Sequence, residues 1–124
     1  MKTFISIVAL LIFKSINLNA QEKNFVFKDN EQTIKLELEK NNMFLIMNQL
    51  TEIKVTVEKI DLKKSSIIGK GICLTEKQGK DYFIFSVTVN EENVFNNHYS
   101  ITINYPSGKS KKLKSHKFLI PVKN

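Results

Sequence analysis

From residue 24 onward, apolar residues fall at alternate positions in a series of short runs. Phe25 and Phe27 open the series. Ile34, Leu36 and Leu38 alternate with Thr33, Lys35, Glu37 and Glu39, and Ile53, Val55 and Val57 alternate with Glu52, Lys54, Thr56 and Glu58. Successive side chains of an extended strand point to opposite faces, so this spacing predicts strands with one dry face and one wet face. The continuous apolar run 43–47 predicts a strand covered on both faces. Ile68, Ile72 and Leu74 predict a further strand, whose Gly69 and Gly71 imply a bulge or a close backbone approach. In the next run Phe83, Phe85, Val87 and Val89 share one face, opposite Tyr82, Ile84, Ser86 and Thr88. Tyr99, Ile101, Ile103 and Tyr105 follow, and Phe118, Ile120 and Val122 close the chain. No stretch of this region sustains apolar positions at helical spacing.

Turn-forming residues punctuate these runs: Asp29-Asn30, Asn41-Asn42, Asn48-Gln49, then 61–66, 76–80, 90–97 and Pro106-Ser107-Gly108. Asn and Asp tolerate left-handed backbone, and Pro-x-Gly presets a tight turn. Seven or eight short strands with breaks about every ten residues predict an all-β protein, a single antiparallel β-sandwich of the Ig-like kind. The runs 81–90 and 98–105 are long and aromatic-rich, and they are expected to be central neighbours. Pro106, Gly108 and the lysines after them describe a hairpin tip.

The start of the chain follows a different pattern. Met1-Lys2 is a short positive segment, residues 4–13 form a ten-residue apolar run, and Leu18-Asn19-Ala20 precedes Gln21. These are the parts of a cleavable secretory signal peptide over 1–20, leaving one domain over 21–124. Ten apolar residues fall short of the roughly twenty that span a bilayer core, so no transmembrane span is expected in the mature protein. Exposure to the periplasm or the medium of a Gram-negative bacterium is the expected setting.

Charge narrows the range of partners. The chain holds 19 basic residues, all lysine, against 12 acids, and removing Lys2 and Lys14 with the signal leaves 17 against 12, a formal charge of +5. The absence of arginine, together with aromatics placed at strand positions rather than among the lysines, argues against a nucleic-acid reader. The clearest charge feature is the acid-free segment 107–117, with Lys109, Lys111, Lys112, Lys114 and Lys117. It suits an anionic envelope polymer, lipid head groups or an acidic protein surface. The alternative is a solvated hairpin whose lysines discourage edge-to-edge strand pairing.

Candidate chemistry is sparse. One cysteine, Cys73, excludes an intramolecular disulfide framework, and its place in an apolar strand predicts a small packed hydrophobe. His98 and His116 lie eighteen residues apart without evident partners, and no spacing matches a nucleophile, phosphate-loop or zinc pattern. The acidic pair Glu91-Glu92 among Asn90, Asn93, Asn96 and Asn97 is either an oxygen-ligand cation site or a solvated loop, and it matches no calcium-loop spacing. Tyr82 and Ile84 form either an interface or a surface covered by a loop. The expectation is a protein that is not an enzyme and needs no cofactor or metal.

Met43-Phe44 leading to Asn48-Gln49-Leu50, the alternation Ile53-Lys54-Val55, Ile60-Asp61, Tyr82 after Gly79, the run 101–105 followed by Gly108, and the closing run 118–122 together resemble the Ig-like domains near the C-terminus of GldM. That family belongs to the gliding-motility and type IX secretion machinery of Bacteroidetes. The resemblance covers about eighty residues and implies a shared fold and an envelope setting, with no catalytic residues to carry over. It does not extend to the motor role, since GldM has a transmembrane helix and several stacked domains. The expected function is an exported protein-protein interaction module, its partner another envelope protein bound through strand edges or end loops. The alternatives are a binder of anionic glycan or lipid through the five lysines, and a small secreted inhibitor.

Overall fold

The computed structural model describes residues 25–108 and 110–124, apart from the side chain of Glu76. The expected export signal over 1–20 and Lys109 lie outside the described residues. The chain is built from strands: β1 (Phe25–Asp29), β2 (Gln32–Leu38), β3 (Leu45–Ile46), β4 (Thr51–Glu58), β5 (Ser66–Ile68), β6 (Ile72–Gln78), β7 (Tyr82–Val87), β8 (His98–Pro106) and β9 (Leu113–Lys123). Single 3-10 turns at Glu39–Asn41, Leu62–Lys64 and Glu91–Asn93 interrupt them.

The strands form a five-stranded sheet in the order β1-β2-β4-β7-β6 and a four-stranded sheet in the order β3-β9-β8-β5. All pairings are antiparallel except β3 with β9, which run parallel. The alternation in sequence becomes alternation in burial: β2 and β4 bury Ile34, Leu36, Leu38, Ile53, Val55 and Val57, while β8 buries Tyr99, Ile101, Ile103 and Tyr105. Phe85, Val87, Phe118, Ile120 and Val122 join them in one hydrophobic cluster fed by both sheets. Each such side chain contributes roughly 1.5–3 kcal/mol on leaving water.

Four expectations are corrected. Residues 43–47 do not form a strand covered on both faces. Only Leu45 is buried, and pairing is confined to Leu45 and Ile46, because left-handed backbone at Lys40, Asn41 and Asn48 bends the chain on either side. The run 68–74 is two strands rather than one, and they lie in different sheets, which raises the strand number to nine. Residues 81–90 and 98–105 are not neighbours: β7 sits between β4 and β6, and β8 between β9 and β5. Their length and aromatic content reflect burial, which either sheet supplies. Cys73 is exposed, not packed, because it lies level with Ser86 on the outer face of the edge strand β6.

The two glycines mark the point where the chain passes from the four-stranded to the five-stranded sheet. Gly71 has φ +78°, and a Cβ there would lie 2.5 Å from the Thr88 carbonyl oxygen. A Cβ on Gly69 would lie 2.7 Å from the Tyr99 hydroxyl, which donates a hydrogen bond to the Lys70 carbonyl between them. Gly71→Ala combines left-handed strain with a backbone clash and should lower stability by about 1–3 kcal/mol. Gly108→Ala, with only the Gln32 side chain at 3.8 Å or beyond, should leave the urea midpoint within error of wild type. Paired denaturation curves check both.

Candidate functional site

The basic segment lies at the end of the molecule where β8 turns into β9. The register Pro106↔Leu113 sets the hairpin, and its tip is closed by Ser107 N–H to Lys112 O (2.9 Å) and Lys111 N–H to Ser107 O (3.1 Å). Ser107 is buried, with its hydroxyl 2.7 Å from that of Ser110. Lys111 takes a left-handed φ of 56°, where Asn or Gly is more usual.

Gln32 ties this tip to the other turns at the same end. Its side chain is buried, and Nε2 donates to Lys59 O (3.1 Å) and Pro106 O (2.8 Å). One amide thus joins the start of β2, the turn after β4 and the end of β8. Beside it, Asp29 Oδ2 accepts from Lys114 Nζ (3.0 Å) and from the Tyr105 hydroxyl (3.1 Å), and Lys59 Nζ meets Glu31 at 2.8 Å. A polar hollow of about 750 Å³ lies among these groups. The hydrogen bond from Lys114, and then that from Tyr105, hold the Asp29 carboxyl below its ordinary value. Burial and the Asp29 contact push the Tyr105 hydroxyl up to about 12.

The predicted lysines are therefore dispersed by role. Lys111 and Lys112 stand exposed at the tip. Lys114 turns toward the five-stranded sheet and is paired with Asp29. Lys117 projects from the opposite face of β9, level with Thr102. Lys109 lies outside the described residues.

His116 was not singled out by its sequence neighbourhood, yet it sits at a junction of the two sheets. Its ring stacks on Phe27 of β1 at 3.8 Å and meets the edge of Phe118 at 4.6 Å. Desolvation there lowers its pKa from the ordinary 6.5. His98 is held locally, donating from Nδ1 to the Asn96 carbonyl at 2.7 Å. In the 90–97 loop, the Asn90 side chain caps the 3-10 turn by accepting from Glu92 N–H (3.0 Å), an ordinary turn role. Tyr82 is half-buried, with Lys54 Nζ 4.8 Å above its ring.

A second hollow of about 710 Å³ opens between the edge strands β5 and β6, floored by Ile60, Ile67, Phe83 and Ile103 and walled by the exposed Leu74. Among the described residues no cluster of three or more His, Cys, Asp or Glu could hold a metal ion. No described helix is long and apolar enough to cross a membrane. No family model matches the chain, and no curated protein or solved structure matches it.

Because the folded pKa of His116 lies below its unfolded value, its contribution to stability is complete above pH 6.5 and is lost as pH falls through the depressed value. Asp29 acts likewise at lower pH, below 3.8. Thermal melts from pH 8 to pH 3 should show stability declining first in the histidine range, and His116→Phe should flatten that first decline while leaving the acid limb.

Proposed function

We propose that this chain is an exported, non-enzymatic protein-protein interaction module of a bacterial cell envelope, built as an Ig-like sandwich. The strand order supports the fold reading. β2-β4-β7-β6 and β3-β9-β8-β5, with β3 parallel to the last strand, agrees with the strand order expected of an Ig-like domain carrying one added outer strand, β1. The export signal read from residues 1–20 and the resemblance to GldM support the compartment.

The observation that carries the binding mode is the edge of β1. All five residues from Phe25 to Asp29 pair with β2 in unbroken register, at the outside of the five-stranded sheet. The other edges are blunted: β3 and β5 have two and three residues, and β6 slips register between Leu74 and Gln78. A regular edge that has no neighbour among the described residues can accept an added strand through main-chain hydrogen bonds.

The exposed Lys111 and Lys112 favour the second reading, an anionic glycan or lipid surface held by charge. Salt separates the two, since exposed charges are screened beyond ~3 Å at 1 M salt. The tagged mature chain should retain a stoichiometric envelope protein through a 1 M salt wash, and Val26→Lys, an exposed change on β1, should release it. Loss on salt alone, reproduced by Lys111→Gln with Lys112→Gln, would replace the edge reading with the charged-surface one.

A further inference from the structure

The two sheets present outer faces of different chemistry. On the five-stranded sheet, charges of both signs neutralise one another: Lys35 lies 3.7 Å from Glu37, Lys77 3.7 Å from Glu52, and Glu37 pairs in register with Lys54. Such a surface is at rest in water and gains little from being covered.

The outer face of the four-stranded sheet carries no acid. The last acidic residue of the chain is Glu92, so β8 and β9 hold none, and β5 is Ser66-Ile67-Ile68. Three aliphatic side chains project from this face, Ile68 (60% exposed), Leu113 (68%) and Leu119 (53%). They are separated by the short side chains of Ser100, Thr102 and Ser115. Ile68, Thr102 and Lys117 form one row across three strands, and Lys117 has no ion pair among the described residues.

Part of the polar layer among the aliphatics is bonded within itself. Asn104 Nδ2 donates to Ser66 Oγ at 3.1 Å, and Ser115 Oγ donates to Asn104 Oδ1, a chain of bonds across β5, β8 and β9. Groups that bond to one another lose little when water is removed from above them, which lowers the cost of covering the face. β8 and β9 pair over nine positions, about 30 Å at ~3.4 Å per residue. β5 lies beside residues 102–104 of β8, whereas β3 pairs only with Val122 and Lys123 of β9, so the sheet is three strands wide at β5, about 14 Å at ~4.8 Å per strand, and two strands wide over the rest of the β8–β9 pairing. A face of this size is below the ~800 Å² that one partner contributes to a standard interface, so the adjoining hairpin tip belongs to the contact.

We propose that the outer face of the four-stranded sheet is a docking surface for a protein partner whose contact patch is apolar and bordered by carboxylates. Ile68, Leu113 and Leu119 supply the apolar contact, and Lys117, with Lys111 and Lys112 at the tip, sets the charge preference. A two-fold pairing of this face with itself does not fit, because it sets lysine against lysine with no acid to offset it. The inference rests on reading the chain as an interaction module, and it names a surface other than the β1 edge.

The test is site-specific photo-crosslinking of the full chain in the cells that produce it. The photoreactive residue is placed in turn at Ser100 on the proposed face, Lys28 on the β1 edge, Lys111 at the tip and Thr56 on the opposite outer face. The expected result is a discrete protein adduct from Ser100 and none from Thr56, with the crosslinked peptide rich in Asp and Glu. Leu119→Glu, a surface change that leaves the core intact, should reduce this adduct at least tenfold with an unchanged melting curve. An Ser100 adduct to a second copy of the chain, or one mapping to a lysine-rich peptide, overturns the proposal. Binding of the purified mature chain to vesicles of one part phosphatidylglycerol to three of phosphatidylcholine, abolished by Leu119→Glu, assigns the face to lipid and also overturns it. Adducts from Lys28 or Lys111 alone sink the face while the interaction-module reading survives; no adduct at any of the four positions sinks both.

Discussion

One apolar layer is filled from two sheets by a single chain, and most of the structure follows from the crossings this imposes. The chain passes between sheets after β2, β3, β4, β5 and β7. Each crossing is marked by left-handed backbone or by a single 3-10 turn. Lys40 and Asn41 take left-handed conformations after β2, Asn48 after β3 and Lys59 after β4. Gly71 does so after β5, and after β7 the Asn90 side chain caps a single 3-10 turn. Asparagine tolerates such backbone at little strain, which explains why it recurs at these corners. Lysine has no such advantage, and at Lys59 the carbonyl is secured by Gln32 and the amine by Glu31.

The strand β8 joins the two sheets at both of its ends. Tyr99 reaches across to the Lys70 carbonyl at the crossing between sheets, and Tyr105 reaches the Asp29 carboxylate at the end of β1. Both rings are buried while both hydroxyls are bonded, so each tyrosine adds apolar area without leaving a polar tip unsatisfied. No buried side-chain polar atom lacks a partner among the described residues. The second clamp also captures Lys114, which accounts for the division of the basic segment. Once Asp29 is needed to satisfy Tyr105, its charge draws in the nearest lysine of β9 and removes it from the exposed set.

Functional surface in this molecule is what the core leaves over. Edge strands, turns and outer sheet faces are the available features, and they differ in how well they already satisfy themselves. The five-stranded sheet pairs its charges within and between strands, β6 breaks its own register, and β3 and β5 are too short to template another strand. Among the described residues, the features without such compensation are the outer edge of β1, Lys111 and Lys112 at the tip, and the exposed Ile68, Leu113 and Leu119 of the acid-free face. Affinity comes from such surplus rather than from exposed area as such.

The all-β class, the inward residues of β2, β4, β7, β8 and β9, and the hairpin at Pro106 were legible in the sequence, because period-two alternation and turn chemistry are local properties. Alternation tells which side of a strand is dry; it carries no record of which strand lies beside it. That is why the run containing Gly69 and Gly71 reads as one strand but belongs to two sheets, and why β7 and β8 read as neighbours but are not. The same limit applies to the candidate site. Five lysines within eleven residues read as one patch, yet strand parity turns Lys114 and Lys117 to opposite faces, and Asp29, eighty-five residues away in sequence from Lys114, decides which charge is free. His116 gains its aromatic cover from Phe27, and Cys73 its exposure from lying at an edge. Local spacing determined the faces; long-range pairing, whose free energy depends on partners distant in sequence, decided the neighbours and therefore the surface.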